Sequence, residues 1–484
     1  MTNSNLKYSQ EPIAVRAGIF GGLIFFSLVC MTFSQTVSGE DRDSSIRGVL
    51  RVHPTNPRYF TDDGDRAVLL TGSHTWNNLV DMGPEDPPAP FDYDAHLDWM
   101  VARNHNFFRL WAWELTSWNT QGNREANAQD HRVAPHPWVR EGSAIALDGK
   151  PKFNLNRLND AYFERLRQRV QAAEEHGIYA SIMLFEGWGL QFSPEAWAHH
   201  PFNPDNNING IDGDSDGDGQ GLEIHTLSDP EILQLQHAYV RRVIDTVNEF
   251  DNVLYEISNE NHPASTQWQY AMIRFIKECE LTKPKQHPVG MTFQYKGGSN
   301  ADLFDSPADW ISPSIEGGYR DNPPASDGSK VVITDTDHLW GIGGNSAWVW
   351  KSFLRGLNPI FMDPYDGSVL SQRLDLETLE SIRANMGYVL DLSQRVDLAS
   401  MSPRADLASS NYCLANEGES YIAFAPQGEE LSFQLPVGNY SMICVDTTTG
   451  EETEPVLVSH SGGTRSFQPP FSSDAIIALR KKNP

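Results

Sequence analysis

The sequence is poor in several features that would have fixed a function at once. Cysteine occurs only four times in 484 residues, and no set of residues has zinc-site spacing. No glycine-rich loop follows a strand-like segment in the way that a dinucleotide or phosphate site requires. Basic residues number 37 against 64 acidic ones, which gives a net charge of −27. Because that charge repels nucleic acid and anionic lipid, neither is expected as a partner.

One long apolar run is present, at the amino terminus. The segment "AGIFGGLIFFSLVCMTF" follows Lys7 and Arg16 and leads into small and polar residues. This order predicts a secretory signal peptide over residues 1–38, with an uncleaved membrane anchor as the alternative. We therefore expect a secreted protein, periplasmic or extracellular, that meets a membrane only through this segment. After export, Cys413 and Cys444 could form a disulfide.

From residue 47 onward, apolar strand-like segments alternate with amphipathic helical ones. Eight strand candidates precede residue 395, and nearly all of them stop on polar residues. This alternation predicts an α/β fold, a (β/α)8 TIM barrel over residues 47–395. After residue 396 the chain changes to short strands separated by turn residues, which predicts an all-β sandwich domain over residues 396–484.

The polar residues at the strand ends form the candidate site, because this barrel builds its active site at the carboxyl ends of its strands. Strand two ends in "FRLWAWE", strand four in "ISNEN" and strand seven in "VVITDTDH". Glycosidic cleavage needs one carboxyl group to protonate the leaving oxygen and a second to attack the sugar or activate water. A barrel can supply two such groups from different strand ends.

The strand-four motif resembles that of the large clan of retaining (β/α)8 glycoside hydrolases. The resemblance implies that Glu260 is the general acid/base, that Asn259 holds the sugar 2-hydroxyl and that Arg109 orients the nucleophile. Where that clan has a glutamate at the end of strand seven, this chain has Asp335. Because aspartate is shorter by one methylene, the gap to Glu260 could widen and favour inversion.

Two other acids compete with Asp335 for the role of nucleophile or base. Asp337 has the same strand parity as Asp335, and Glu316 ends strand six. An ion pair between Asp337 and either Arg109 or Arg355 is a structural alternative that is compatible with catalysis. A metal site made by Asp335, Asp337 and His338 is a weaker one, because no further cluster of ligands has suitable spacing.

Further residues at or just past the strand ends would either contact sugar or pack in the core. Besides Asn259 and Arg109, they are His74, Trp76, Trp111, Glu186, Trp188, Tyr319, His338, Trp340, Asp363 and Tyr365. Two or three of the aromatic rings should form the floor of sugar subsites, since rings stack on the apolar faces of sugars.

The loop "DGDSDGDGQGLE", residues 212–223, has the spacing of a calcium loop. Its candidate ligands are Asp212, Asp214, Asp216, Asp218 and Glu223. A bound Ca²⁺ would have a structural role, and the alternative is a solvated acidic loop. We expect no cofactor for catalysis.

A closer resemblance covers the chain from about residue 47 to its end. The motifs "TGSHTWNN", "LYEISNEN", "DTDHLWGIGG" and "WVWKSFLRGLNPIFMDPYDG" are similar to those of secreted bacterial apiosidase-like proteins. That group joins a glycosidase-type barrel to a C-terminal domain named as collagen-binding. The prediction is a glycoside hydrolase that cleaves a plant or algal polysaccharide or oligosaccharide. The alternative is a catalytically inactive carbohydrate- or matrix-binding protein on the same barrel.

Overall fold

Eight parallel strands form the centre of the fold, in the order of a nearly closed TIM barrel. They are β1 (Gly72–His74), β2 (Phe107–Trp111), β3 (Tyr179–Glu186), β4 (Val253–Asn259), β5 (Val289–Thr292), β6 (Trp310–Ser312), β7 (Val331–Asp335) and β8 (Asn358–Met362). Each strand from β2 to β8 pairs with the next in the chain, and β8 pairs with β1. All eight lie in segments that the sequence predicts as strands, so the barrel is confirmed.

The coordinates are a computed structural model in which residues 46–119 and 129–482 are described. The predicted signal segment over residues 1–38 lies outside these residues. Within the described ranges, no helix combines the length and the apolar character that crossing a membrane requires.

The strands are buried along their whole length, as expected for parallel strands covered by helices. Every residue of β3 and β4 is buried. Helices surround the barrel: α1 (Tyr93–Ala102), α2 (Asp160–Glu175), α3 (Trp188–Phe192), α4 (Pro230–Val247), α5 (Thr266–Glu280), α6 (Asn300–Phe304), α7 (Thr336–Leu339), α8 (Ser346–Leu354) and α9 (Leu376–Gln394). Side-chain caps begin several of them: Asp92, Asn159 and Asp229 accept backbone N–H groups at the starts of α1, α2 and α4.

Additional short strands pair outside the eight-stranded sheet. A hairpin of Arg51–Val52 and Phe60–Thr61 lies at the amino ends of the barrel strands, where Leu50 and Phe60 share a cluster with Phe107 and Val331. A small sheet of Asp81–Gly83, Ser117–Trp118 and His131–Ala134 and a hairpin of Trp138–Ile145 and Pro151–Leu158 lie between β1 and α2 in the chain.

The chain after α9 is built of antiparallel strands. They are β9 (Ser402–Pro403), β10 (Cys413–Asn416), β11 (Ser420–Ala425), β12 (Leu431–Leu435), β13 (Gly438–Asp446), β14 (Val456–His460), β15 (Gly463–Phe467) and β16 (Ala475–Lys481). Strands β12 and β15 pair with each other, and the other six form one sheet in the order β9-β10-β11-β16-β13-β14. Side chains of both sheets, among them Phe433 and Tyr440, share one apolar cluster. We call this part the C-terminal β region.

The C-terminal β region packs directly on the barrel helices. Leu414, Phe424 and Ile476 belong to the same hydrophobic cluster as the barrel core. The Asn385 side chain donates to the carbonyl oxygen of Thr447 at 2.8 Å. The two parts therefore share buried apolar surface and are more than neighbours in sequence.

The disulfide considered for Cys413 and Cys444 is not formed. Both residues are buried free thiols with no disulfide partner among the described residues. They lie on β10 and β13, which are separated by two strands of the sheet. Since neighbouring strands lie about 4.8 Å apart, the two residues are too far apart for the ~5.5 Å Cα–Cα distance of a disulfide.

Candidate active site at the carboxyl ends of the barrel strands

A cleft of about 1000 Å³ opens at the carboxyl ends of β3 to β8. Two acids from non-adjacent strands, Glu260 and Asp337, line it together with Glu316 and His338. The walls also include aromatic and basic side chains: Trp188, Phe192, Phe293, Tyr295, Trp340, Lys296, Arg320 and Arg373. The cleft thus holds the pair of carboxyl groups that the sequence leads us to look for.

Glu260 immediately follows β4 and has an uncommon backbone conformation. Its φ is +42°, in the left-handed region that residues other than glycine seldom adopt. The Gln191 side chain donates to the Glu260 carbonyl oxygen at 2.8 Å. Residue 260 is only 7% exposed. Such backbone strain persists only where the surroundings enforce it, and it is concentrated at functional sites.

Asp335 and Asp337 do not occupy equivalent positions, and the parity argument made from the sequence is wrong. Strand β7 ends at Asp335, and helix α7 begins at Thr336. The Asp335 side chain caps α7 by accepting the backbone N–H of Asp337 at 2.9 Å. Asp337 is therefore on a helical turn beyond the strand and reaches the cleft, whereas Asp335 is fully buried.

Arg109, on β2, connects the acids of the site. Its guanidinium donates to Asp335 at 3.0 Å and to Asp337 at 3.1 Å through the same nitrogen. Its Nε donates to Glu256 at 2.8 Å, and Nη2 donates to the Asn259 side-chain oxygen at 2.6 Å. The expected ion pair between Arg109 and Asp337 is present. A planar donor with five N–H groups suits this task, because it can hold several acceptors in fixed directions.

Neighbouring buried side chains keep Asp335 in its charged form. Burial alone would raise the pKa of Asp335, but the hydrogen bond from His74 and the charge of Arg109 hold it well below its ordinary value. The His74 ring nitrogen Nε2 lies 2.9 Å from Asp335, and its Nδ1 accepts from the Trp111 indole at 3.0 Å. His74 and Trp111 are thus positioned behind Asp335 and away from the cleft.

His338 and Asn259 complete the floor near Asp337. The Nε2 atom of His338 lies 3.3 Å from the Asn259 side-chain oxygen, and its Nδ1 lies 2.8 Å from the Ser312 hydroxyl. Burial lowers the pKa of His338 to about 3, so the ring is neutral at pH 7. The Nδ2 of Asn259 is buried and has no hydrogen-bond partner among the residues that the structure describes. An orphaned donor of this kind is costly unless a ligand satisfies it.

Asp335, Asp337 and His338 bring potential metal-ligand atoms within 4.8 Å of one another. Arg109 donates to both carboxylates. A cation held by all three residues would therefore lie against a guanidinium that already supplies the positive charge. The two carboxylates are therefore better suited to an ion pair with Arg109 than to binding a metal ion.

The other predicted acids have different surroundings. Glu316 lines the cleft, but its carboxylate accepts the backbone N–H of Asn300 at 2.7 Å, at the start of α6. Glu186 is buried and accepts the backbone N–H groups of Trp188 and Gly189. Burial raises the pKa of Glu186 well above its ordinary value.

The predicted aromatic residues divide into two groups. Trp188 and Trp340 line the cleft. Trp76 and Trp111 lie in a buried group of indole rings, at a centroid distance of 5.4 Å from each other, which corrects their expected place in a sugar subsite. Their rings are needed to fill the interior, because a tryptophan left against an empty space loses its packing contacts.

The remaining candidates after β6 and β8 also lie outside the cleft lining. Tyr319 is buried, and its carbonyl oxygen accepts from the Trp348 indole. Asp363 is paired with Arg383 at 2.8 Å and accepts the backbone N–H of Tyr365. Tyr365 packs its ring on His96, at a centroid distance of 4.9 Å. These contacts assign them to packing and to loop structure.

The predicted calcium loop brings three of its five candidates together. Asp214, Asp216 and Asp218 place carboxylate oxygens within 4.8 Å of one another. Burial raises the pKa of Glu223, and the charges of the loop aspartates add to this effect. Asp212 accepts the backbone N–H of Asp214. Calcium binding stays a prediction.

Sequence reasoning missed Glu256 and the basic residues of the cleft. Glu256 lies inside β4, fully buried, in the run "LYEIS". A charged residue within an otherwise apolar strand is a signal for a buried ion pair, and it could have been paired with Arg109. Lys296, Arg320 and Arg373 lie in loops, where no periodicity shows which way a side chain points.

The fold is similar to solved glycoside hydrolase structures. A Bacteroides vulgatus protein assigned as a glycoside hydrolase matches with a TM-score of 0.60 and 13% identity, over 92% of this chain and 84% of its own. A glycoside hydrolase family 5 protein of the same organism matches with a TM-score of 0.58 and 11% identity, over 90% of this chain and 94% of its own. A third, described only as a glycoside hydrolase, has a TM-score of 0.57 and 12% identity, over 90% and 97%. At these identities the likeness establishes the fold alone, a TIM barrel.

Comparisons at the level of sequence add little about activity. A family model described as a domain of unknown function (DUF6298) matches residues 132–296, which include β3, β4 and Glu260. No curated protein matches the chain.

Proposed function

We propose that the protein is a glycoside hydrolase in which Glu260 and Asp337 are the two catalytic carboxyl groups. The observation that carries this proposal is their common location: both line one cleft at the carboxyl ends of the barrel strands, from positions after β4 and β7. Two acids that line the same cleft can act together on one glycosidic bond.

Asp337 is a better candidate for the second role than Asp335, the acid first suggested by the sequence. Asp335 is completely buried, and its oxygens are bonded to His74, Arg109 and the Asp337 backbone. A nucleophile or base must reach the anomeric carbon or a water beside it. Asp337 lies in the cleft lining, so it can make that approach, and Asp335 acts by orienting Arg109 and α7.

The chemistry follows from these positions. Glu260 gives its proton to the glycosidic oxygen as the bond to the anomeric carbon breaks. Asp337 either attacks that carbon, forming a glycosyl-enzyme ester that water then hydrolyses, or takes a proton from the water that attacks directly. Arg109 pairs with the Asp337 carboxylate, and the free Nδ2 of Asn259 is available to donate to a sugar hydroxyl. No metal or cofactor is needed in either course.

The proposal includes the finer expectations from the sequence. We infer secretion from the amino-terminal segment, and a plant or algal polysaccharide or oligosaccharide as the substrate from the apiosidase-like resemblance. The C-terminal β region is proposed to be a small sandwich that supports the barrel. Its two antiparallel sheets and its apolar contacts with the barrel support that role.

The test uses Glu260→Gln, with Glu316→Gln as the matched control. Both variants replace a glutamate of the cleft, but Glu316 is bonded to the start of α6. Reducing sugar released from a panel of plant and algal glycans is measured for both and for the unmodified protein. We expect Glu260→Gln to lose at least about 10²-fold in rate, since general acid catalysis contributes about 10²–10⁴-fold. Equal activity of Glu260→Gln and the unmodified protein would rule out the assignment.

A second candidate function is carbohydrate binding without catalysis. The observation that favours it is the pairing of both Asp335 and Asp337 with Arg109, which ties them to a structural network. A protein that binds glycans of the panel but releases no sugar from any of them would support this function over hydrolysis.

A further inference from the structure

The end of strand β4 contacts the segment that joins β3 to α3 at three consecutive residues. The carbonyl oxygen of Asn259 accepts the backbone N–H of Gly187 at 3.0 Å. The next carbonyl oxygen, that of Glu260, accepts the Gln191 side chain at 2.8 Å. Asn261 follows, and Gly187 approaches it so closely that a Cβ at residue 187 would lie 2.5 Å from the Asn261 Cα. One neighbouring segment therefore supports the backbone before, at and after the proposed acid.

These contacts fix the direction of the Glu260 side chain. The Cα of Glu260 lies between two planar peptide groups, whose orientations set φ and ψ and so the direction of the Cα–Cβ bond. The Gly187 N–H holds the first plane through the Asn259 carbonyl, and the Gln191 amide holds the second through the Glu260 carbonyl. With a φ of +42°, the Glu260 backbone keeps its conformation only while its surroundings enforce it.

Gln191 is itself held in place. It belongs to the short helix α3, whose first two backbone N–H groups donate to the buried Glu186 carboxylate at 2.7 Å. The Gln191 Nε2 that donates to Glu260 also donates to the Gly187 carbonyl oxygen at 2.9 Å, so both of its N–H groups have fixed directions. Its support of the Glu260 backbone comes from a side chain, and a substitution can therefore remove it.

We propose that Gln191 is a positioning residue that directs the Glu260 carboxyl group toward the glycosidic oxygen. The inference rests on the proposed function, because it concerns the proton that Glu260 donates. A general acid must lie within hydrogen-bond reach of the atom that it protonates. A displacement of about 1 Å can lower the rate of an enzyme by about 10²-fold, so loss of the amide that orients the Glu260 peptide should slow the reaction.

The test replaces Gln191 by methionine, which has a similar length but no N–H group. The matched control is Gln286→Met. The Gln286 amide also bridges two backbone carbonyl oxygens, those of Glu280 at 3.0 Å and Lys283 at 2.9 Å, but it lies in the loop before β5, at the amino ends of the barrel strands. Each change is made both in the unmodified protein and in Glu260→Gln.

The constants kcat and KM are measured on a glycan of the plant and algal panel that the unmodified protein cleaves, and melting temperatures are recorded for every variant. We expect Gln191→Met to lower kcat by about tenfold, a part of the ~10²–10⁴-fold that general acid catalysis contributes, with KM changed less than about twofold. The control should keep both constants. The two variants should lose similar amounts of melting temperature, since each loses two hydrogen bonds to carbonyl oxygens.

The Glu260→Gln background separates positioning from a general structural role. Gln191→Met should cause no further loss of kcat there, because the proton that the amide helps to place is already missing. A loss that merely reflects a loosened structure would be the same in both backgrounds. The same loss in both backgrounds, or a kcat for Gln191→Met equal to that of Gln286→Met, would overturn the proposal.

The outcome for the proposed function is read separately. If the unmodified protein releases no sugar from any glycan of the panel, or if Glu260→Gln is as active as the unmodified protein, the proposed function fails and this inference fails with it. Activity that is lost in Glu260→Gln but fully kept in Gln191→Met would overturn this inference alone.

Discussion

Replacing Asp335 and Asp337 one at a time should show which of them supports the site and which takes part in the reaction. Asp335→Asn removes a charge from a site with no solvent exposure, where the carboxylate bonds to His74 at 2.9 Å and to Arg109 at 3.0 Å. Breaking a buried ion pair costs about 3–5 kcal/mol in the free energy of unfolding. Arg109 keeps Glu256 and Asp337 as partners, so we expect about 3 kcal/mol.

Asp337→Asn should lower the reaction rate strongly and the stability only slightly. The asparagine oxygen can still accept from Arg109, and the side chain lies at the cleft wall, so a loss of about 1 kcal/mol in stability is expected. The rate should fall by about 10²–10⁴-fold, because the amide can neither attack nor accept a proton. Stability is measured by urea unfolding, and rate by release of reducing sugar from a glycan that the unmodified protein cleaves.

Alanine variants add a geometric test of the same assignment. Removing the Asp337 carboxylate leaves a space that opens on the cleft, whereas the space left by Asp335 is enclosed. Azide or formate should therefore restore part of the activity of Asp337→Ala and none of that of Asp335→Ala. Rescue of Asp335→Ala, or full activity of Asp337→Asn, would refute the reasoning.

Three further predictions concern the rest of the molecule. Deleting residues 396–484 should lower the unfolding midpoint of the barrel or prevent its folding, because this removes Leu414 and Phe424 from the shared core; an unchanged midpoint by circular dichroism would contradict this. Millimolar Ca²⁺ should raise the melting temperature of the unmodified protein but not of Asp216→Asn, since a ligand that binds only the folded state stabilises it, and Mg²⁺ is the control. Burial lowers the pKa of His96 to about 3, so below pH 6.5 the unfolded chain takes up a proton that the folded protein does not. The free energy of unfolding therefore decreases as the pH is lowered from 6.5. In His96→Gln that slope should decrease by about 1.4 kcal/mol per pH unit between pH 6 and 4, measured by urea unfolding, and an unchanged slope would show that His96 takes no part.

Much of the fold could be predicted because its signals are local. The helix over Leu376–Gln394 is one of the amphipathic segments that alternate with strands after residue 47, and all eight barrel strands lie in apolar runs. The hairpins between β1 and α2 were not predicted, since they are insertions with no counterpart in a plain alternation of strands and helices.

The candidate site was predicted in part. Arg109 and Glu260 lie where the strand-end motifs place them, one beneath the cleft and the other in its wall. The tryptophans show the limit of such reasoning: Trp76 and Trp188 both follow strand ends, yet Trp76 is in the core and Trp188 lines the cleft. A position just past a strand predicts where a side chain is attached, but it does not predict whether that side chain packs in the core or lines the cleft.

The amino-acid sequence by itself determined that strands and helices alternate and that acids stand at the carboxyl ends of β4 and β7, because hydrophobic periodicity and strand-end chemistry act over a few residues. Only the tertiary structure decided which acid faces the cleft. Helix α7 begins one residue after Asp335, and His74 and Arg109 come from strands far away in the chain to enclose that carboxylate. The depth of a side chain depends on what other segments place around it, and that is settled only when the barrel has formed.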